Sequence, residues 1–329
     1  MKTVLIVTDN LQDQINGVVT TYKNIEACAL LDDYHFVYVD PGRFGYIDCP
    51  KYNEVKIAYP RKMGKILEEI NPDHIHIATE GPIGLYARRY FSLHSRRYNT
   101  AYHTRFPEGI KKILGVPEAI TWTYVRWFHR HAGKVLTTTD TMVKELYDNG
   151  FEGEIIPWTR GVDRTIFQPT LRNRTDSVRQ LVCISRVSKE KNLEQFFELQ
   201  IPNSRKIMVG DGPMREEYQE RYPDVEFVGF KTGTELATYY ANADVFVFPS
   251  VWETFGIVMI EAMACGTPVA AYPAPGPLDV VDPGVTGYME EDLAVAVEKC
   301  LALDRTAVEA ASQRWSWQKA WEIFRDNLV

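Results

Sequence analysis

The chain has 329 residues, 45% hydrophobic and 25% charged, an ordinary globular mixture long enough for two domains. Its five scattered cysteines form no C-x-x-C pair, which predicts reduced thiols in a cytosolic protein rather than a disulfide or zinc framework. No run approaches the ~18 apolar residues of a membrane span, and the opening "MKTVLIVTDN" reads as a first strand rather than a leader.

Short β-branched runs alternate with helix-like segments along the whole chain. The predicted strands are "TVLIVTD", "HFVYVD", "HIHIAT", "TAYHT", "KVLTTT" and "EIIPW" in the first half. They are "LVCISR", "KIMVGDG", "VEFVGF", "ADVFVFPS" and "TPVAAYP" in the second. This rhythm predicts α/β architecture with two parallel, doubly wound sheets. The switch falls in "IIPWTRGVDRTIFQPTLRNRTDS", giving expected domains of 1–158 and 159–312. The amphipathic segment 313–329 closes the chain as a helix. The net charge of −7 lies wholly beyond residue 158, since residues 1–158 hold 19 basic and 19 acidic side chains.

In such sheets ligands bind beyond the carboxyl ends of the strands, so the loops there are the candidate sites. "QINGVVTT" follows the first strand, and Asn16 and Gly17 can open a helix start toward phosphate or acceptor. It is not G-x-G-x-x-G, which argues against a nicotinamide dehydrogenase. Glu80, in "TEGPIG", sits after the third strand and suits either an acceptor contact or a helix cap. His103 ends the strand in "TAYHTRFPEG", with Arg105 two residues on. A lone histidine is more often a satisfied structural residue. Residues 86–134 carry ten Lys/Arg, Lys112 among them, against two acids. That excess suits an anionic partner or a solvated face.

In the second half, "ISRVSKEKN" sets Arg186 and Lys191 five residues apart across a βα loop. Two cations there can neutralise a diphosphate. "VGDGP" carries Gly210 and Gly212 in a turn apt for close approach, and lacks the Lys-Ser/Thr of a P-loop. In "PSVWETFGIVMIEAMACG", Glu253 and Glu261 stand eight residues apart in an apolar run. An unpaired buried carboxylate is costly, so each needs a partner, either a side chain or a ligand. Helix-start amides at Phe255, Gly256 and Ile257 can join them at an oxygen-rich ligand. No Asp-x-Asp pair is present to carry a divalent cation, and no metal or other cofactor is expected.

Together these residues resemble family 4 of the retaining glycosyltransferases. "ETFGIVMIE" is similar to that family's E-x7-E motif and "ISRVSKEKN" to its R-x4-K phosphate site. "VGDGP", "ADVFVFPS", "EAMACGTPV" and "RGVDRTIFQP" follow in the expected order. "TEGPIGLYARR", "AYHTRFP", "WTRGVD" and "AYPAPGPLDVV" resemble the branch of GDP-mannose-dependent mannosyltransferases and sulfoquinovosyl-diacylglycerol synthases. The chain is short for that branch, with trimmed loops between 170 and 225.

The resemblance implies the GT-B fold, two Rossmann-like domains facing across a cleft, acceptor domain first and donor domain second, with the last helix crossing back. It implies metal-free transfer of a hexose from a UDP-glucose- or GDP-mannose-type donor, with a lean toward UDP, to a lipid or lipid-linked acceptor. Glu261 is then expected on the ribose, Glu253 and His103 on the donor sugar, and Arg186 and Lys191 on the diphosphate. Gly17 is expected near the phosphate. Gly210, Gly212, Val228 and Lys231 are expected at the base, and Asn16, Glu80 and Arg105 on the acceptor side. The implied location is cytoplasmic, peripheral at the inner membrane through segment 86–134. The competing readings are a viral enzyme acting on modified DNA bases, a nucleotide-sugar 2-epimerase, and a non-catalytic nucleotide-sugar scaffold. Nucleic acid is the weaker partner for a chain of net charge −7.

Overall fold

The computed structural model describes residues 1–49 and 52–329; the side chains of 52–55 and 112–114, including that of Lys112, lie outside the described residues. The chain divides into two compact units, Met1–Arg160 with Trp317–Val329, and Gly161–Ser316.

The first unit runs β1 (Lys2–Val7), α1 (Gly17–Leu31), β2 (Tyr34–Val39), β3 (Gly45–Cys49), β4 (Tyr52–Tyr59), α2 (Met63–Ile70) and β5 (His74–Ile77). It continues through α3 (Pro82–Leu93), β6 (Asn99–Tyr102), α4 (Phe106–Leu114), α5 (Glu118–His129), β7 (Val135–Thr137), α6 (Asp140–Asp148) and β8 (Ile155–Pro157). Its sheet is parallel, in the order β2-β1-β5-β6-β7-β8. The β3–β4 hairpin is antiparallel and stands apart from that sheet. β3 is exposed, and its mixed sequence gave no strand signal.

The second unit runs β9 (Arg179–Ile184), α7 (Glu194–Phe197), β10 (Ser204–Val209), α8 (Arg215–Arg221), β11 (Val225–Gly229), α9 (Gly233–Asn242) and β12 (Val245–Phe248). It ends with α10 (Ile257–Ala264), β13 (Val269–Ala271), α11 (Pro277–Val280), β14 (Gly287–Met289), α12 (Leu293–Cys300) and α13 (Arg305–Ser312). Its sheet is also parallel, in the order β11-β10-β9-β12-β13-β14. The three-residue β14 escaped the sequence reading. Helices cover both faces of each sheet, so strands such as VLIV and VFVF are buried on both sides and read as continuous apolar runs.

The final helix, α14 (Trp317–Asp326), belongs to the first unit. Ala320, Trp321 and Phe324 are buried there with Tyr22 and Trp158. Trp321 Nε1 and Arg325 each donate to Asp32 over 2.7 Å, and Trp158 Nε1 donates to the Ala320 carbonyl over 2.8 Å.

The strand order selects the loops that matter. In the first unit it reverses between β1 and β5, and in the second between β9 and β12. Ligands of open α/β sheets bind at such reversals. The loops concerned are 8–16 and 78–81 in the first unit, and 185–192 and 249–256 in the second.

Candidate active site

In the second unit the two reversal loops are tied together. Lys191 Nζ donates to Glu253 Oε1 over 2.5 Å, Ser250 Oγ donates to the same oxygen over 3.2 Å, and Asn192 Nδ2 donates to the Pro249 carbonyl over 3.2 Å. Burial pushes the Lys191 ammonium down, but the Glu253 carboxylate more than offsets this and the net shift is upward, so Lys191 is a fixed positive charge at neutral pH. Arg186 lies on the same loop, exposed, and its charge reaches Lys191.

Glu261 projects from α10 and accepts from Tyr240 Oη, on α9, over 2.9 Å. Burial raises its carboxyl to about 7, with the Tyr240 hydrogen bond opposing. Each acid of the E-x7-E pair therefore has its own protein partner, Lys191 and Ser250 for one and Tyr240 for the other. The sequence alone left those partners undetermined. Between the acids, Phe255 is buried edge-on against Trp315, at 5.4 Å between rings. Gly256 turns the chain into α10 at φ 86°, where a Cβ would stand 2.7 Å from Met259 Cε. With Ile257 it starts the helix and leaves amides at its head.

The glycines of "VGDGP" serve the protein itself. A Cβ on Gly210 would lie 1.9 Å from the Ser185 carbonyl oxygen, and one on Gly212 would lie 2.4 Å from that of Val187. Their conformational freedom lets β10's loop pack directly on the backbone that carries Arg186, a close approach to the protein itself beside the one expected to a ligand. Val228 is partly buried against the core, and Lys231 pairs with Glu235 over 2.5 Å.

In the first unit Asn16 Oδ1 accepts the amides of Val18 and Val19, both over 3.0 Å, so Asn16 caps α1 and occupies amides expected to be open. Gly17 is the first residue of that helix. The start of α3 is closed by Asp9, a residue the sequence reading passed over. Its carboxylate accepts from Thr79 Oγ1 (2.7 Å), Ile83 N (2.7 Å) and Gly84 N (3.3 Å). Gly81 permits this approach, because a Cβ there would lie 2.5 Å from Asp9 Cγ. Burial pushes the Asp9 carboxyl up to about 6 against those hydrogen bonds.

Glu80, expected at the acceptor or as the cap of α3, does not cap that helix, whose first amides go to Asp9. Glu80 is buried and faces His129 Nε2 at 3.3 Å, while His129 Nδ1 meets Thr100 Oγ1 at 2.7 Å. Arg105 is likewise committed, to Glu108 over 2.9 Å and Glu145 over 3.2 Å, fastening α4 to α6.

His103 is buried with both ring nitrogens engaged. Nδ1 faces an Arg160 guanidinium nitrogen at 3.0 Å and Nε2 faces Tyr22 Oη at 2.9 Å. A guanidinium only donates, so Nδ1 accepts and the proton sits on Nε2. Tyr22 therefore accepts from His103 and turns its own proton to His76 Nε2, 2.7 Å away. His76 is left with an N–H at Nδ1, which has no partner among the described residues. Burial, and then the Arg160 charge, hold His103 well below its ordinary range, and burial pushes His76 down to about 3. His103, expected on the donor sugar, thus takes part in an internal relay through both ring nitrogens. Tyr22 carried no sequence signal, and Arg160 was visible only inside "WTRGVD".

Much of the basic excess of segment 86–134 is also internal. Arg88 donates to the carbonyls of Trp127 and Phe128 and stacks on the Trp127 ring at 3.8 Å. Arg96, Lys111, Arg126 and Lys134 have protein partners too. Arg89, Arg97 and Arg130 are exposed. Helix α5 buries Trp122, Val125 and Phe128 and exposes Ile120 and Trp127.

Comparison with known proteins gives the family. A family model described as Glycosyltransferase Family 4 matches residues 25–166, and one described as glycosyl transferases group 1 matches residues 178–303. A GDP-mannose-dependent alpha-mannosyltransferase of Mycobacterium tuberculosis is 30% identical over 302 residues, covering 85% of this chain and 78% of that protein. The chain belongs to glycosyltransferase family 4. A further relative, the sulfoquinovosyl transferase SQD2 of Arabidopsis thaliana, is 30% identical and covers 85% of this chain and 61% of its own length. Among solved structures, sucrose-phosphate synthase from Thermosynechococcus elongatus superposes with TM-score 0.75 at 19% identity, over 99% of this chain and 94% of that one. HepE from Anabaena, solved with UDP and glucose, superposes with TM-score 0.72 at 16% identity, over 99% of both chains. These two likenesses show the GT-B fold that this family 4 glycosyltransferase shares. Among the described residues no helix is long and apolar enough to cross a membrane.

Proposed function

We propose that this family 4 enzyme transfers a hexosyl group, mannose from GDP-mannose in the first instance, to a hydroxyl of a lipid or lipid-linked glycan, with retention and without a metal. The observation that carries it is the Lys191–Glu253 contact across the strand-order reversal, with Arg186 on the same loop. A cation pair held there suits a diphosphate, and a carboxylate beside it suits sugar hydroxyls. Glu261, at the second turn of α10, suits the ribose hydroxyls, and the amides at Phe255, Gly256 and Ile257 assist the sugar. The GDP-mannose dependence named for relatives at 28–31% identity supports that donor over the UDP-sugar toward which the sequence leaned. The UDP bound in HepE supports a nucleotide-diphosphate sugar in general.

In the proposed reaction the bond from the anomeric carbon to the diphosphate oxygen breaks as an oxocarbenium-like state forms. The acceptor oxygen bonds to the same face, and its proton passes to the leaving phosphate. Lys191 and Arg186 stabilise the charge that grows on that phosphate. Lipid acceptors are supported by relatives named alpha-monoglucosyldiacylglycerol synthases, and peripheral membrane attachment by the exposed Arg89, Arg97, Arg130, Ile120 and Trp127.

The test is a thermal-shift panel of GDP, UDP, ADP and their sugars, with and without EDTA, followed by NMR of the anomeric configuration of the product. A shift with GDP and GDP-mannose that EDTA leaves intact, and an α-linked product from the α-linked donor, are expected. A shift with donor but no acceptor product would favour the non-catalytic nucleotide-sugar scaffold, and no shift with any nucleotide would count against both readings.

A further inference from the structure

A separate concavity lies in the first unit. It measures about 520 Å³ and is lined by Arg43, Phe44, Gly45, Tyr59 and Arg61. It forms where the chain leaves β2 through the 3-10 turn Pro41–Arg43 and returns along β4. The carboxyl end of β2 is the sheet edge at which the β1 loop also emerges. Leu11 of that loop stands 3.6 Å from where a Cβ on Gly42 would be. The concavity thus sits at the ligand-binding edge of the sheet, within the size range of small-molecule sites.

Its chemistry is one-sided. Among the described residues no carboxylate lines it, and neither the Arg43 nor the Arg61 guanidinium has a hydrogen bond or ion pair. Asp40, beside the turn, accepts from the Gly42 amide at Oδ1 over 2.9 Å and reaches Arg43 through its charge, and the charge of Asp13 in turn reaches Asp40. Tyr59 is half exposed and Phe44 half buried, so an aromatic wall stands beside the two cations.

We propose that this pocket receives a phosphate-type oxyanion carried by the acceptor, so that the acceptor is a phosphate monoester or diester rather than a neutral alcohol. The inference rests on the glycosyltransferase reading and adds the acceptor class to it. A guanidinium presents a planar fork that matches a phosphate and stays charged at every working pH. Two of them around a concavity without acids create a field that an oxyanion neutralises. The aromatic wall takes the carbons of a glycerol or sugar. A neutral acceptor gains nothing from either arginine.

The test compares the full chain with the double variant R43Q/R61Q, using GDP-mannose and four acceptor probes. Phosphatidylglycerol and dioleoylglycerol are presented in phosphatidylcholine vesicles, and glycerol phosphate and glycerol in solution. The phosphate-bearing probe of a pair is expected to be preferred. The double variant should raise its KM about tenfold per arginine, the worth of one charge-assisted hydrogen bond. The neutral probe and the melting shift induced by GDP should not change. Preference confined to the vesicle pair assigns the oxyanion to a lipid headgroup, and preference confined to the soluble pair assigns it to a small phosphate ester. Equal use of both members of each pair, or equal loss on both in the variant, overturns the proposal. A second readout is independent of turnover: glycerol phosphate should shift two arginine Nε–H resonances saturably, and both should vanish in R43Q/R61Q. Absence of that shift, together with no preference for phosphatidylglycerol in the vesicle pair, also overturns the proposal. Failure of the wild-type chain to bind any nucleotide instead defeats the glycosyltransferase reading.

Discussion

The guanidinium of Arg160 stands 3.0 Å from Nδ1 of His103 and fixes which ring nitrogen of that histidine carries the proton. Long-range ¹⁵N NMR of the wild-type protein should therefore find His103 protonated on Nε2 and neutral at pH 5. Removing the charge in Arg160→Leu should raise the pH at which His103 titrates, since Arg160 is the second contribution, after burial, holding it down. Loss of a buried charged donor should also cost about 2–4 kcal/mol of stability. An Nδ1-protonated His103 in the wild type would break the assigned relay.

Lys191 and Glu253 are a quarter and a fifth exposed, so their contact contributes little to stability. Lys191→Ala should leave the melting temperature nearly unchanged while lowering kcat/KM about 10²–10³-fold. Glu253→Gln should act in the same direction and less severely. Wild-type rates in both variants would remove this pair from the chemistry.

Glu261 carries a pH signature of its own. Its folded-state value of about 7 exceeds the ordinary 4.5. Burial of the charged form is therefore a cost that is absent below about pH 4.5, grows as pH rises, and is complete above about pH 7. Glu261→Gln removes it. The variant should gain on the wild type across that interval by up to about 3 kcal/mol, read by urea melts at a series of pH values. The same substitution should weaken GDP binding. A stability difference independent of pH would place Glu261 in a more solvated position.

Gly212→Ala would set a Cβ 2.4 Å from the Val187 carbonyl oxygen at φ 158°. The expected loss is about 3 kcal/mol or more, with transfer falling as the loop bearing Arg186 and Lys191 moves. Gly153 has nothing within 4 Å of a built Cβ, so Gly153→Ala should change stability by no more than about 0.5 kcal/mol. Equal tolerance at both positions would show that the two loops are not packed as described.

The features legible in the sequence are those written in local spacing. Eleven strands followed from apolar runs bounded by turn residues, because a strand buried on both faces needs an unbroken apolar stretch. The pairs Arg186/Lys191 and Glu253/Glu261 were legible because each lies within one loop or one loop and its helix. Sequence alone thus determined the two doubly wound units and the family.

Tertiary structure decided which groups those residues meet. Asp9 rather than Glu80 closes α3 because the fold brings together positions more than 70 residues apart. Glu80 turns inward because His129, 49 residues away, is buried beside it. His103 became part of a relay through Tyr22 and Arg160, 81 and 57 residues distant, and no local pattern encodes that meeting. The β3–β4 hairpin, whose first strand is exposed, and the short β14 were invisible for want of a local apolar pattern. Spacing reports what a residue's near neighbours require, whereas a buried polar group takes whatever partner the packed sheet brings within about 3 Å, since leaving it unpaired costs more than any local preference.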